Sequence, residues 1–246
     1  MINKFDIIIC VGPKDLEILT KQIKYTKKNI IGYRNIYIIS YNPNISVDNC
    51  IIINENIFPF TINDVIKYHG KNERNGWYLQ QILKLYAGFI IPNILDKYLV
   101  IDCDTFFIQP TIFSINNKCL YNIGNEYHIP YFIHMNKLHP LLKKYNKYIS
   151  GICHHMIFDK KYLKKLFSLV ERYHRNEFWK VFLEKVTDIT KSGASEYEIY
   201  FNYMLWYHRN EIIVRKLNWI NTSINNLKIY ELNKKYNFIS LHWYLR

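Results

Sequence analysis

The chain has 246 residues, 49% of them hydrophobic, a length and composition that suit a globular protein with one large α/β core or two small ones. Its formal net charge of +13 comes from basic residues dispersed in pairs such as Lys143-Lys144, with no long basic tail. This pattern favours a solvated basic face over a dedicated site for a polyanion.

The five cysteines are widely spaced and form no CxxC pair, which argues against a disulfide framework or a zinc knuckle. A reducing compartment follows as the expected location, namely the cytoplasm, or the host cytoplasm if the chain is viral. Residues 5–11 are too short for the apolar region of a signal peptide. No apolar run reaches the roughly 18 residues of a spanning helix, while peripheral membrane contact and the oligomeric state stay open.

The first half of the chain alternates strand and helix patterns. Residues 5–11 are a continuous apolar run that ends at Gly12-Pro13, as in a strand buried on both faces of a parallel sheet. Further strands are predicted at residues 35–40, 50–53 and 97–101, and helices at residues 15–29, 62–68 and 77–89. This order predicts an α/β fold with a Rossmann-like, mostly parallel central sheet flanked by helices.

The second half is less regular. Short strands are predicted at residues 119–123, 212–214 and 237–241, and helices at residues 137–148 (beginning near Pro140), 160–173, 178–186 and 195–206. Ser195 and Glu198 have the spacing of a helix-capping box. We expect one domain over residues 1–246, with a nucleotide-binding half (1–110) and an acceptor-binding half (111–246) built on the same sheet.

The candidate metal site begins with Asp102-Cys103-Asp104, which directly follows the apolar strand pattern of residues 97–101. Ligands of open α/β sheets bind beyond the carboxyl ends of the strands, so both carboxylates are expected to face a crevice. Hard oxygen ligands suit Mg²⁺ or Mn²⁺, which share their coordination shell with substrate phosphates. A solvated turn is the alternative interpretation of this short motif.

Two other residues are predicted to join this motif. His242 follows the last apolar strand pattern, and imidazole is a suitable third ligand for Mn²⁺ beside the two carboxylates. Lys84 lies on the helix that precedes the acidic strand, within reach of a phosphate or of an acidic residue of the motif. For His242 the competing interpretation is a histidine at a frayed terminus. For Lys84 it is an ordinary amphipathic helix with a solvated lysine.

The candidate catalytic residues lie in the second half. His154 and His155 are adjacent, so on a strand only one faces the site, and His155 is preferred. A zinc site there is the rival interpretation, but only Cys153 offers itself as a further ligand. Glu196, at a predicted helix start, is the expected general base for an acceptor hydroxyl in an inverting reaction; a retaining reaction stays open.

Three segments together resemble small glycosyltransferases of the GT-A type with a DxD motif, such as those of bacterial polysaccharide loci and giant viruses. They are residues 10–13 (CVGP), 77–85 (WYLQQILKL) and 99–105 (LVIDCDT). The resemblance implies a UDP-linked sugar donor, Mn²⁺ or Mg²⁺, and a glycan, protein or lipid acceptor.

The same resemblance assigns roles to individual residues. Val11 and Gly12 would flank the base and ribose, Asp102 would contact ribose or metal, and Asp104 and His242 would bind metal. Cys103 would act only through its backbone, as the spacer between the two carboxylates at the nucleotide.

Two other classes of function stay open. The basic charge and the aromatic content permit a nucleic-acid-binding protein or a two-metal nuclease, although no recognised nucleic-acid motif is present. A non-catalytic module that binds a nucleotide sugar would retain the same fold without turnover.

Overall fold

The computed structural model describes residues 3–223, 232–233 and 235–241. Within them, the strands are β1 (Phe5–Val11), β2 (Ile30–Ile31), β3 (Tyr33–Ser40), β4 (Ile51–Asn54), β5 (Lys97–Ile101), β6 (Thr105–Phe107), β7 (Thr111–Ile112), β8 (Ser114–Ile115), β9 (Lys118–Asn122), β10 (His155–Asp159), β11 (Ile212–Arg215), β12 (Trp219–Asn221) and β13 (Phe238–Ser240). The α-helices are α1 (Leu16–Asn29), α2 (Ile62–His69), α3 (Asn75–Ile90), α4 (Ile129–Leu138), α5 (Lys160–His174), α6 (Phe178–Glu184) and α7 (Glu196–Tyr207).

The central sheet has five strands in the order β10-β5-β1-β3-β4. β5, β1, β3 and β4 are parallel, and β10 joins β5 in the antiparallel sense at one edge. Every residue of β1 is buried, as expected for a strand covered on both faces. The predicted α/β fold with a mostly parallel central sheet is confirmed.

Most of the predicted elements lie close to their predicted positions. Continuous apolar runs form buried strands, and apolar residues at helical spacing form the buried faces of helices. β1 has the predicted bounds, and α1 begins one residue later than predicted. The predicted helix over residues 77–89 is α3, which begins at Asn75. It therefore begins before the predicted start, and just ahead of it Asn72 Oδ1 accepts from the backbone N–H of Arg74 at 2.8 Å.

The helix predicted over residues 137–148 is wrong. The helix in this region is α4, which ends at Leu138, and residues 141–148 contain no helix. Pro130 occupies the first turn of α4, where its missing N–H has no intrahelical acceptor to lose. Pro140 follows the end of the helix, a position that proline commonly takes.

Three smaller sheets surround the central one, in the orders β11-β9-β8, β12-β13-β6 and β2-β7. The last predicted strand is observed as β13, which pairs antiparallel with β6 directly after the acidic motif. The main hydrophobic cluster draws on both halves of the chain, from Phe5 in β1 to Phe238 in β13. Among the described residues, no helix is both long and apolar enough to cross a bilayer.

Candidate functional site

The carboxyl ends of the parallel strands meet at one edge of the central sheet. β1 pairs with β3 up to Val11 and Ser40, and with β5 in the same direction. β10 runs the opposite way, so His155, its first residue, lies beside Ile101, the last residue of β5. Residues that follow β5 and residues that precede β10 are therefore brought together at this edge.

A cleft of about 620 Å³ opens at this edge. The acidic motif contributes all three of its residues, and one face of α3 contributes Trp77, Gln80 and Lys84, at helical spacing. The start of α7 and the segment before β10 complete the wall. Most of the lining side chains are charged or polar, and the lining includes Asp15, Arg74, Trp77, Lys84, Asp102, Cys103, Asp104, Glu126, His154, Ser192, Glu196, Tyr197 and Asn221.

Lys84 connects the two acidic elements of the cleft. Its Nζ lies 2.6 Å from Oδ1 of Asp102 and 2.8 Å from Oε1 of Glu196. The Lys84 side chain is only 3% exposed, and a buried ammonium is stable only when opposite charges accompany it. Burial alone would lower the pKa of Lys84, but the charges of Asp102 and Glu196 raise it well above its ordinary value. Lys84 is therefore a buried, charged lysine, and not a solvated one.

Asp102 is held as a carboxylate by three side chains. In addition to Lys84, the hydroxyl of Tyr197 donates to Oδ1 at 2.8 Å, and Nδ1 of His154 lies 3.4 Å from Oδ2. Burial would raise the pKa of Asp102, but Lys84 and His154 together hold it well below the usual range. Asp102 thus carries a negative charge across the whole working range of pH.

His154 is the histidine that reaches the cleft. Its backbone carbonyl accepts from the N–H of Asp102 at 2.9 Å, and its backbone has a φ of 59°, in the left-handed region. Non-glycine residues seldom adopt this conformation, and where they do the surrounding contacts must hold them. Burial would lower the pKa of His154, but the hydrogen bond and charge of Asp102 raise it above its ordinary value.

The preference for His155 does not fit this geometry. His155 is 3% exposed, it is absent from the cleft lining, and its ring packs against Phe107, Phe113 and Phe238. Burial lowers its pKa to about 3, so this ring is neutral. The rule that adjacent strand residues point to opposite faces does not apply to this pair, because β10 begins only at His155 and His154 lies in the turn before it.

The two glutamates of α7 have separate positions. Glu196 lines the cleft and pairs with Lys84, and burial raises its pKa although Lys84 opposes that shift. Ser195 caps α7 as predicted, since its Oγ accepts from the N–H of Glu198 at 3.2 Å. The Glu198 carboxylate does not complete a capping box; it accepts from the backbone N–H of Gly151 at 3.1 Å and from Nζ of Lys144 at 2.9 Å.

The remaining predicted residues are distributed as follows. Asp104 lines the cleft, and its Oδ1 lies 3.4 Å from Oγ of Ser240 in β13. Cys103 is buried between the two carboxylates and also lines the cleft. Val11 is the last residue of β1 and Gly12 follows it; neither lines the cleft, whereas Asp15 does so after the same turn. His242 lies outside the described residues.

Several residues of the cleft were missed by the sequence reasoning. The guanidinium of Arg74 lies 4.2 Å from the centroid of the Trp77 ring, and its Nη2 donates to Oγ of Ser192 at 2.9 Å. Tyr197 holds Asp102, as described above. Arg74 lies between two predicted helices, and one tyrosine among 22 gives no signal of its own.

The donor set can be compared with the needs of a divalent cation. Asp102 and Asp104 provide hard oxygen atoms in one cleft, which fits Mg²⁺ or Mn²⁺ sharing its shell with a substrate phosphate. Within the described part of the chain, no three His, Cys, Asp or Glu side chains are grouped so as to hold a metal by themselves. Two carboxylates leave further coordination positions for substrate oxygens, so the residues fit an ion that is held jointly by protein and substrate.

The charge of the cleft is opposite to that of the chain. Its described lining includes five carboxylates (Asp15, Asp102, Asp104, Glu126 and Glu196) beside two permanent cations (Arg74 and Lys84). The chain as a whole has a net charge of +13. A polyanion is repelled by such a cleft, whereas a cation or a substrate that arrives with one is attracted.

The fold and the cleft define an α/β protein with an acidic site at the carboxyl edge of a mostly parallel sheet. The chain belongs to the family described as a family of unknown function (DUF6492), whose model matches residues 34–231. No curated protein sequence matches the chain significantly. Among solved structures, the chain is similar to the apo crystal structure of mouse xyloside xylosyltransferase 1, with a TM-score of 0.49 and 10% identity over 99% of each chain.

Proposed function

We propose that this protein is a metal-dependent glycosyltransferase that moves a sugar from a nucleotide diphosphate donor, with UDP as the expected nucleotide, to a hydroxyl acceptor. The observation that carries the proposal is the common cleft of Asp102, Asp104 and Glu196 beyond the end of β5. Two carboxylates suited to a metal diphosphate and one buried carboxylate suited to a base are the groups that this reaction requires.

On the donor side, Asp102 and Asp104 would hold Mn²⁺ or Mg²⁺ together with the phosphate oxygens of the donor. The ion, when bound, neutralises the charge that develops on the leaving nucleotide diphosphate. Arg74 lines the same cleft and offers a planar guanidinium to a phosphate. Lys84 and His154 keep the Asp102 carboxylate charged and fixed in position.

On the acceptor side, Glu196 is proposed as the general base of an inverting transfer. The acceptor oxygen forms a bond to the anomeric carbon, the bond from that carbon to the diphosphate oxygen breaks, and the diphosphate leaves with the electron pair. Glu196 takes the proton of the acceptor hydroxyl. Burial raises the pKa of Glu196, which brings this carboxylate closer to the range in which a base is effective. The neighbouring Lys84 ammonium opposes that shift and stabilises the negative charge of Glu196.

The charge distribution favours this function over a nuclease. The five carboxylates of the cleft lining repel the phosphate backbone of a nucleic acid, and two of them, Asp102 and Glu196, are already engaged by Lys84. A module that binds the donor without turnover has the same cleft, and only an activity measurement separates it from an enzyme.

The test is a panel of nucleotide diphosphate sugars incubated with the full chain and Mn²⁺ or Mg²⁺, with released nucleotide diphosphate as the readout. We expect metal-dependent release from at least one UDP-sugar, suppressed by EDTA. Binding of UDP with no release from any donor would identify a binding module. Cleavage of single- or double-stranded oligonucleotides without UDP binding would identify a nuclease.

A further inference from the structure

A second groove of about 610 Å³ lies next to the cleft. It is formed by residues around β12 and by the segments of residues 123–125 and 235–236. Three aromatic rings line it, together with two lysines and three asparagines, among them Tyr148, Lys216, Trp219, Asn221, Lys235 and Tyr236. Aromatic surface combined with amide groups suits a sugar, whose C–H faces pack on rings and whose hydroxyls pair with amides.

The groove and the cleft share a wall. Asn221 lines both cavities, and its Oδ1 is buried with no hydrogen-bond partner among the residues that the structure describes. The Trp219 ring, which lines the groove, contacts the His154 ring of the cleft with centroids 5.0 Å apart. Trp219 is held in place by stacking on Phe238, at 5.4 Å and an interplanar angle of 8°. A ligand in the groove therefore ends beside the residues proposed for the chemistry.

The two cavities have opposite charge. The cleft is lined by five carboxylates, as described above, whereas none of the described residues lining the groove is Asp or Glu. Lys216 and Lys235 are the charged side chains of the described groove lining. A neutral sugar gains only ordinary hydrogen bonds from these two cations, whereas a sugar with a carboxylate or phosphate substituent gains stronger, charge-assisted ones.

We propose that this groove binds the acceptor, and that the acceptor is a saccharide bearing an anionic group. The sugar ring packs on Trp219 and its aromatic neighbours, the anionic substituent lies against Lys216 and Lys235, and Asn221 accepts a hydrogen bond from a hydroxyl near the cleft. The role of this saccharide as an acceptor rests on the proposed transferase function. Its binding to the groove can be measured without turnover.

The test is isothermal titration calorimetry of the full chain with four probes: a neutral oligosaccharide, an oligogalacturonate, a sugar phosphate and inorganic phosphate. The Lys216→Gln/Lys235→Gln variant is compared with Lys164→Gln/Lys165→Gln, which removes the same charge from exposed positions of α5 outside both cavities. We expect one of the two anionic sugars to bind at least about tenfold more tightly than the neutral sugar and inorganic phosphate. The groove variant loses that preference, and the α5 variant retains it.

The outcomes separate this inference from the proposed function. Equal affinity for neutral and anionic sugars, or an anionic preference that survives in the groove variant, overturns the inference even if UDP binds in the cleft. Inorganic phosphate that binds as tightly as the anionic sugars also overturns it, because the ring then contributes nothing. Binding of an anionic sugar that depends on the groove, with no binding of any nucleotide, supports the proposed ligand of the groove and contradicts the proposed transferase function.

Discussion

Lys84 extends from the middle of α3 to the first carboxylate after β5, with 2.6 Å between its Nζ and Oδ1 of Asp102. The same ammonium reaches Glu196 at the start of α7, 2.8 Å away. One buried cation thus fixes the distance between the proposed metal-binding strand end and the proposed base. The stability of the fold and the geometry of the site depend on the same side chain.

We predict that Lys84→Met lowers the free energy of unfolding by about 3–5 kcal/mol, because removal of one partner leaves buried charge uncompensated. Urea denaturation measures the loss. The double variant Lys84→Met/Glu196→Gln removes one of the two carboxylates left behind and is expected to regain part of the stability. Equal stability of Lys84→Met and the wild type would show that the ammonium does not compensate these carboxylates.

The interaction of His154 with Asp102 predicts a pH dependence of stability. Because the folded-state pKa of His154 lies above its ordinary value of 6.5, its contribution is complete below that value and is lost as the pH rises through the folded-state pKa. The wild type should therefore exceed His154→Gln in stability by more at about pH 5.5 than at about pH 8.5. In an Asp102→Asn background this dependence should shrink, because Asp104 and Glu126 supply only part of the attraction that raises the pKa of His154. A gap that widens with rising pH contradicts the assignment.

Glu198 is predicted to hold the segment that presents His154. It is fully buried, and it accepts from Gly151, Lys144, Ser150 and Asn202. Glu198→Gln should cost about 1.5–3 kcal/mol, the range for hydrogen bonds to a charged group. Glu184→Gln is the matched control, since Glu184 forms an exposed pair with Lys185 and its loss should cost less than about 1 kcal/mol. Similar losses in the free energy of unfolding for the two variants would show that Glu198 does not hold this segment.

The parts of the fold that could be predicted from the sequence are those with uninterrupted apolar patterns. β1 and β5 are buried on both faces, so their hydrophobic runs are continuous and their ends are sharp. Because a buried strand end must face a crevice, the position of Asp102 and Asp104 followed from β5 alone. The burial of Lys84 did not follow, since a lysine on a helix is usually solvated and its two carboxylate partners come from elements 18 and 112 residues away.

The parts that could not be predicted depend on contacts distant in sequence. β10 is an edge strand whose antiparallel pairing with β5 has no local pattern, and its exact start decided which histidine faces the cleft. The left-handed backbone of His154 is uncommon for any residue other than glycine, so a histidine at this position does not by itself signal the turn. The start of α4 carries no capping signal in the sequence, because its N-cap residue, His128, makes no side-chain cap hydrogen bond.

Asp102 and Asp104 are predicted to respond differently to loss of charge. Asp102→Asn removes a partner of buried Lys84 and of His154, so both stability and activity should fall. Asp104→Asn keeps the shape of the side chain and the Oδ1 acceptor that lies 3.4 Å from Oγ of Ser240, so this variant should retain a free energy of unfolding within about 1 kcal/mol of the wild type. Urea denaturation of the two variants side by side measures this difference, and equal losses of stability contradict it.

The most direct test of the metal-dependent transferase is the rate of nucleotide diphosphate release from the preferred donor, with Mn²⁺, by the wild type and by Asp104→Asn. We predict a loss of at least about a hundredfold in the variant, since a metal that neutralises the leaving diphosphate contributes several kcal/mol to the reaction. Folding of the variant is checked by its denaturation curve. Undiminished release by a folded Asp104→Asn variant, or release by the wild type that EDTA leaves unchanged, would contradict the metal-dependent mechanism.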